Sequence, residues 1–264
     1  MQTMYAYISG ETRTLTMPDA SEEVLPGIPW GAFDELLTPA YWRGQVWQHQ
    51  QTGGYADFRL GRSLEEEVAA CLLGGWGMPA ELALAAYRRV RERGLLRHDV
   101  TTQALEDALA EPFIFHGRQR KYRFSRQKAR YLQGCLARLY GYTPPVDDVD
   151  FRDSLQTLPG IGLKTASWIV RNIRPTSEVA IVDVHILRAG RHIGLFPDEW
   201  EPQTHYRELE RNFVSLARAL GVPAATLDGL IWDYMRQLSP TLRKASPGEM
   251  RQTDLFAHEA AAIH

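Results

Sequence analysis

Cysteine is nearly absent. Cys71 and Cys135 are the only two in 264 residues, which excludes a disulfide framework and any four-cysteine zinc or iron–sulfur site. Both sit in helix-like apolar runs, VAACLL and LQGCLARL, and are expected to be buried free thiols. Long hydrophobic runs are missing too. No stretch approaches the roughly 18 uncharged apolar residues of a membrane-spanning helix. The opening MQTMYAYISGETRTLTM lacks a basic segment followed by an apolar one, so no signal peptide is expected and the cytoplasm is the expected compartment. Nor is there an excess of either charge. Thirty basic against 32 acidic residues leave a net of -2, which argues against a protein that coats nucleic acid by bulk positive charge.

What is there is unevenly spread. Residues 1–40 carry six acids and one base, Arg13. From Gly117 to Tyr142 there are eight bases and no acid, which reopens the nucleic-acid question. Residues 1–62 read as a less regular N-terminal extension. Met4 to Ile8 and Thr12 to Thr16 alternate around Ser-Gly-Glu and predict a short β-hairpin. Prolines at 18, 26, 29 and 39 then punctuate loops with short helical turns, ending at the glycine-rich QTGGY. From Ser63 helical periodicity takes over, Ser63 and Glu66 forming a capping box. Helices are expected at about 79–93, 101–110, 125–141, 148–157, 163–173, 184–194, 203–219 and 224–238. Residues 63–245 are expected to form one all-α body and 246–264 a C-terminal tail.

Two segments carry chemistry. In DVDFRDSLQTLPGIGLKTASWIVRN, helical patterns flank Leu158-Pro159-Gly160-Ile161-Gly162. Pro159 cannot sit inside a helix, and Gly160 and Gly162 allow positive φ and close approach. The next helix starts at once, so its unpaired N–H groups make an anion cradle to which Thr165 can add a hydroxyl. A plain packing corner between two helices is the simpler reading of such a turn. Lys164 falls in the first turn of that helix, where the positive end of the dipole disfavours an ammonium and favours a nucleophilic amine. In VAIVDVHILRAG an apolar, strand-like run ends at Asp183, a natural N-cap for the helix that follows. A carboxylate so placed is fixed and partly buried. His185 reads equally as a core, surface or functional histidine.

The pairing of LPGIGLKTAS with VDVH, with Lys164 and Asp183 19 residues apart, resembles the helix-hairpin-helix (HhH-GPD) DNA glycosylases. It is most like the 8-oxoguanine DNA glycosylase/AP lyase branches. The upstream FSRQKARYLQGCLARL is similar to the helix that precedes the hairpin in that superfamily, so the resemblance spans about residues 63–240. It implies a mainly α, two-lobed helical fold and a bifunctional DNA glycosylase and β-eliminating AP lyase of base excision repair. The hairpin, through Gly160, Gly162 and Thr165, would hold DNA backbone beside a nucleotide flipped into a pocket. Lys164 would attack C1′ and form a Schiff base. Asp183 would stabilise the developing positive charge, and His185 would lie near a phosphate. The implied partner is double-stranded DNA with a damaged or modified base, bound by a monomer with no cofactor, metal or membrane; in a bacterium it would be nucleoid-associated.

For the base pocket, Asp228 and Trp232 lie four apart on one helix face and resemble an acid–tryptophan pair of archaeal members; for Trp232 a core aromatic is the competing reading. Asp233 is expected to point elsewhere. Trp76, in GGWGMP, stands where many members carry a polar wedge, and reads as an apolar wedge, a pocket wall or a core residue. The glutamine and phenylalanine of the eukaryotic-type branch are not recognisable, and the cysteine cluster of the endonuclease III and adenine glycosylase branches is absent. Arg118, Arg120, Lys121 and Arg123, interleaved with Tyr122 and Phe124, read as a phosphate track or as a solvated face. The leading expectation is excision of an oxidised purine. The alternatives are a related glycosylase for another modified base or nucleic acid, defence against foreign DNA included, and a non-catalytic DNA-binding module.

Overall fold

A computed structural model describes residues 1–55, 57–75, 77–115, 117–174 and 178–238. Trp76, His116 and the expected tail at 246–264 lie outside the described residues. The class is the expected one, mainly α with short strands. The chain divides into two compact units, Met1–Ala56 with Thr176–His264, and Asp57–Pro175. The boundary expected near residue 62 therefore shifts, and residues beyond 175 join the N-terminal segment rather than the middle of the chain.

In the first unit, β1 (Gln2–Ile8) and β2 (Glu11–Met17) form the expected antiparallel hairpin. Its two-residue turn is Ser9-Gly10, both at positive φ (52° and 88°), the hand that suits a twisted hairpin. Leu15 and Met17 are buried on one face. A second small pair, β3 (Glu23–Leu25) and β4 (Ile28–Pro29), follows. A helix then stands where loops were expected: α1, Pro39–Gln51. Thr38 caps it, its Oγ1 accepting the Tyr41 N–H, and Pro39 opens it with a preset φ. The unit is completed by α8 (Val184–His192), α9 (Pro202–Ala219) and α10 (Ala224–Gln237). α10 is central, packed on α1, α8 and α9, and buries Leu227, Leu230 and Ile231.

The second unit holds α2 (Leu64–Leu73), α3 (Ala80–Glu92), α4 (Thr102–Ala110), α5 (Ser125–Leu139), α6 (Asp148–Leu155) and α7 (Leu163–Ile173). α2 lies in the middle, against α3, α5 and α7, as its almost wholly apolar sequence after Glu67 requires. The capping box forms with one change: Ser63 Oγ accepts the Glu66 N–H, while the Glu66 carboxylate reaches back to Arg62 rather than Ser63. β5 (Phe113–Phe115) and β6 (Arg118–Arg120) make a short hairpin that leads into the basic run, where no strand was expected. Glu67 is 0% exposed, and its carboxylate accepts the N–H groups of Leu60 and Gly61 (2.9 and 2.8 Å) and the Asn172 amide (2.7 Å). One buried anion thus ties the 60–61 turn, α2 and the far end of α7. Both cysteines are buried free thiols. Among the described residues no single helix is long and apolar enough to cross a membrane.

Candidate functional site

The hairpin at 158–162 joins α6 to α7 and rests on α5. Gly160 has φ +76°, and a Cβ there would come within 2.3 Å of the Tyr131 ring. Only glycine fits, for two independent reasons. Pro159 packs over Gly134, and its carbonyl accepts a hydrogen bond from the Cys135 thiol (3.4 Å). Arg138 donates to the Thr157 carbonyl. Gly162 differs from the expectation. It is the N-cap of α7 with extended φ/ψ (−94°, 176°), and a Cβ on it would meet nothing within 4 Å. What it contributes is an open end: among the described residues no side chain caps α7 and none serves its first N–H groups. Lys164 and Thr165, both half-buried, are the second and third residues of that helix.

Beside the hairpin is a cleft of about 250 Å³ whose lining includes Gly74, Phe124, Gln127, Lys128, Gly160 and Thr165. Part of the basic run has structural work there. Lys128 donates to the carbonyls of Leu72 (2.6 Å) and Gly74 (3.5 Å), closing the C-terminal end of α2, and burial lowers its pKa. Tyr122, 3% exposed, donates to the Leu73 carbonyl, so it is a second cap on the same helix and not a stacking surface. Arg118, Arg120, Lys121 and Arg123 are all exposed. They pair with no acid among the described residues, and Arg123 lies over the Phe124 ring at 5.3 Å.

In the first unit, the strand-like run 179–182 proves to be no strand. It is an extended, buried peptide whose amides are served by side chains. Ala180 N–H goes to Glu210 (3.2 Å), Ile181 N–H to Asp228 (3.0 Å) and Val182 N–H to the Tyr206 hydroxyl (3.2 Å). The same hydroxyl donates to the Ala180 carbonyl (3.0 Å). Glu210, Asp228 and Tyr206 are 3%, 2% and 3% exposed. This rail delivers Asp183 to the start of α8, where its Oδ1 accepts the His185 and Ile186 N–H groups (2.8 and 3.1 Å). Oδ2 takes no hydrogen bond from the described residues. Asp183 is therefore both a cap and a carboxylate with one oxygen to spare.

Asp228 thus serves the rail through Oδ2 and is 2% exposed, a second duty beside the pocket role expected of it. Trp232, four residues on, is 37% exposed with Arg236 stacked on it at 4.6 Å, and the His185 ring meets its edge at 6.4 Å. Asp233 does point elsewhere, accepting from the Tyr55 hydroxyl (2.8 Å). Lys164 belongs to the second unit, and Asp183, His185, Asp228 and Trp232 to the first. Trp76 lies outside the described residues. The residues missed from the sequence are Tyr206 and Glu210, whose signal was available: two polar groups four apart on the otherwise apolar face of α9. Among the described residues no three His, Cys, Asp or Glu side chains gather into a metal-binding group.

Residues 56–222 match the family model for 8-oxoguanine DNA glycosylase, with the hairpin, Lys164 and Asp183 inside the match. The chain belongs to that family. An 8-oxoguanine DNA glycosylase/AP lyase from Metallosphaera sedula is 36% identical over 122 residues, 42% of this chain and 57% of that protein. The chain thus spans a little over half the length of the curated relatives it matches. Among solved structures, the 8-oxoguanine DNA glycosylase of Thermotoga maritima superposes with a TM-score of 0.56 at 22% identity, covering 74% of this chain and 96% of that one. Endonuclease III trapped as a covalent intermediate with DNA superposes with a TM-score of 0.58 at 19% identity, over 83% and 96% of the two chains. These place the fold. For this family member, the matched stretch stops before α10, so Asp228 and Trp232 lie beyond it.

Proposed function

We propose that this family member is a bifunctional DNA glycosylase and AP lyase that excises an oxidised purine, 8-oxoguanine first. The observation that carries the reading is the uncapped start of α7. A hairpin locked by Gly160 and Tyr131 presents free N–H groups, and the next side chains are a lysine and a threonine. Free N–H groups at a helix start suit a phosphate, and a lysine beside a held phosphate is placed to reach the adjoining sugar. Lys164 Nζ attacks C1′; the C1′–N bond breaks and its electron pair leaves with the base, which takes up a proton. The ring opens to a Schiff base, a proton is lost from C2′, and the 3′ phosphate departs. Asp183, with one oxygen engaged by α8 and the other available, stabilises the cationic sugar in this scheme. Trp232 offers an exposed ring for stacking, worth about 1–3 kcal/mol for a flipped base. Asp228, whose Oδ2 serves the rail, is in this scheme also the acid that receives base N–H groups. A glycosylase of the same fold acting on another modified base is the second reading, favoured by α10 lying beyond the matched stretch.

The test is borohydride trapping on duplexes with 8-oxoguanine, other oxidised bases or an abasic site. A covalent adduct is expected with the wild type and none with Lys164→Gln, while Asp183→Asn slows the chemical step by orders of magnitude. No adduct on any duplex would sink the lyase assignment. An adduct that survives Lys164→Gln would show that the nucleophile is another residue.

A further inference from the structure

The β1–β2 hairpin lies outside the stretch shared with the family, and the glycosylase reading makes no use of it. Its register fixes which backbone groups are spare. In a two-residue hairpin the residues flanking the turn form a hydrogen-bonded pair, and such pairs alternate along the ladder. Ile8–Glu11, Ala6–Arg13, Met4–Leu15 and Gln2–Met17 therefore bond inward. The N–H and C=O groups of Thr3, Tyr5 and Tyr7 point outward along the free edge of β1. The sheet has two strands, and no backbone group among the described residues serves that edge.

Natural edge strands are normally guarded by charge, proline or a bulge. β1, QTMYAYI, has none of these over seven residues. β2 carries Glu11 and Arg13. The side chains that accompany the spare groups are also bare: Tyr5 is 68% exposed and Tyr7 77%. With Thr3, Thr12, Thr14 and Thr16 they make an uncharged Tyr/Thr face, the kind of surface that gives large contact area at low entropic cost. Stacking of a nucleic-acid strand on these rings is disfavoured by the six acids of residues 1–40.

We infer that β1 is a self-pairing edge: two copies of this chain join their β1 strands antiparallel, about a two-fold axis at Tyr5, into a four-stranded sheet. The register allows it without adjustment. With the axis at Tyr5, Tyr5 faces Tyr5 of the second copy and Thr3 faces Tyr7, so spare groups meet spare groups and each pair exchanges both of its bonds. Between them, Met4 faces Ala6 and Gln2 faces Ile8. No charge opposes a like charge anywhere along the strand, and the pairing closes on itself instead of propagating. This departs from the monomer expected from the sequence. A single strand pair falls short of the roughly 1,200–2,000 Å² of a standard interface, so the dimer is weak, forming at micromolar concentration and above.

The axis position makes a sharp test, independent of the glycosylase reading. Sedimentation velocity of the full chain from about 1 to about 200 µM should show monomer passing to dimer. Tyr5→Lys sets two ammonium groups face to face and should leave monomer throughout; Tyr5→Glu should do the same. Mixed in equal amounts, the two variants should dimerise again, as lysine then faces glutamate. Tyr5 is exposed and its backbone groups take no part in the hairpin ladder, so both variants should keep the far-ultraviolet circular dichroism of the wild type. A wild type that stays monomeric at the highest concentration overturns the inference. So does a dimer that Tyr5→Lys leaves intact, and so does a mixture that fails to recover, because Tyr5 would then not face itself.

Discussion

Glu67 offers a direct test of what holds α7 in place. Every neighbour of its carboxylate is a donor: the Leu60 and Gly61 N–H groups on one oxygen, the Asn172 amide and, weakly, the Cys71 thiol (3.7 Å) on the other. Hydrogen bonds to a charged group contribute about 1.5–3 kcal/mol each, and a buried donor left unserved costs a similar amount. Glu67→Ala removes three good ones at a site with no solvent access and should destabilise by about 4–6 kcal/mol. Glu67→Gln is different. Its oxygen can keep the two backbone donors, and its new amide can donate to Asn172 Oδ1, which is buried and unpartnered, once the Asn172 amide turns over. The loss should then be about 1–2 kcal/mol, or roughly 2–8 °C in Tm for a chain of this size. Urea titration followed by circular dichroism reads both variants. Asn172→Ala should cost much less in the Glu67→Ala background than alone, because the shared bond is already gone. If Glu67→Gln proves as damaging as Glu67→Ala, or if the two deletions simply add, the carboxylate is not the common tie described above.

Gly160→Ala should cost about 2–4 kcal/mol, combining a left-handed φ with a Cβ driven into the Tyr131 ring, while Gly162→Ala should change stability by less than about 0.5 kcal/mol. Thermal unfolding of the two compares them directly, and equal effects would mean the hairpin geometry has been misread. Burial pushes the pKa of the Cys135 thiol up to about 12, from the ordinary 9.0. The folded state holds its proton where the unfolded chain does not, so this contribution to stability is intact below pH 9 and is lost as the pH climbs toward 12. Iodoacetamide at pH 8 should leave Cys135 unmodified until denaturant is added; prompt labelling of the native protein would contradict that.

The hairpin and the cap were legible because their information is local: a proline and glycines between two helical periods, and Asp183 directly before the first residue of α8. α1 was not read, although Thr38-Pro39 is a proper cap-and-start pair. Prolines at 18, 26, 29 and 39 drew the reading toward loop, and the helix has no polar face to betray it, since Tyr41, Trp42, Gln45, Val46 and Trp47 are all buried. The run 179–182 was apolar enough to pass for a strand because burial selects the same residues whatever serves the amides. Its partners, Tyr206, Glu210 and Asp228, come from two helices further along the chain, and pairing at that range leaves no period to find. The same holds for the pairing of residues 1–56 with those after 175, which rests on α1 meeting α10.

That pairing has a consequence in time. α1 ends at Gln51 and its packing partner α10 begins at Ala224, so on a ribosome adding about 5–20 residues per second α1 waits roughly 10–35 s for the surface that covers it. Once residue 175 is made the second unit has all its own residues and can fold, while Trp42 and Val46 still lack α10 and the uncharged β1 edge is already exposed. Nascent chains on adjacent ribosomes would present that edge to one another before any of them is finished.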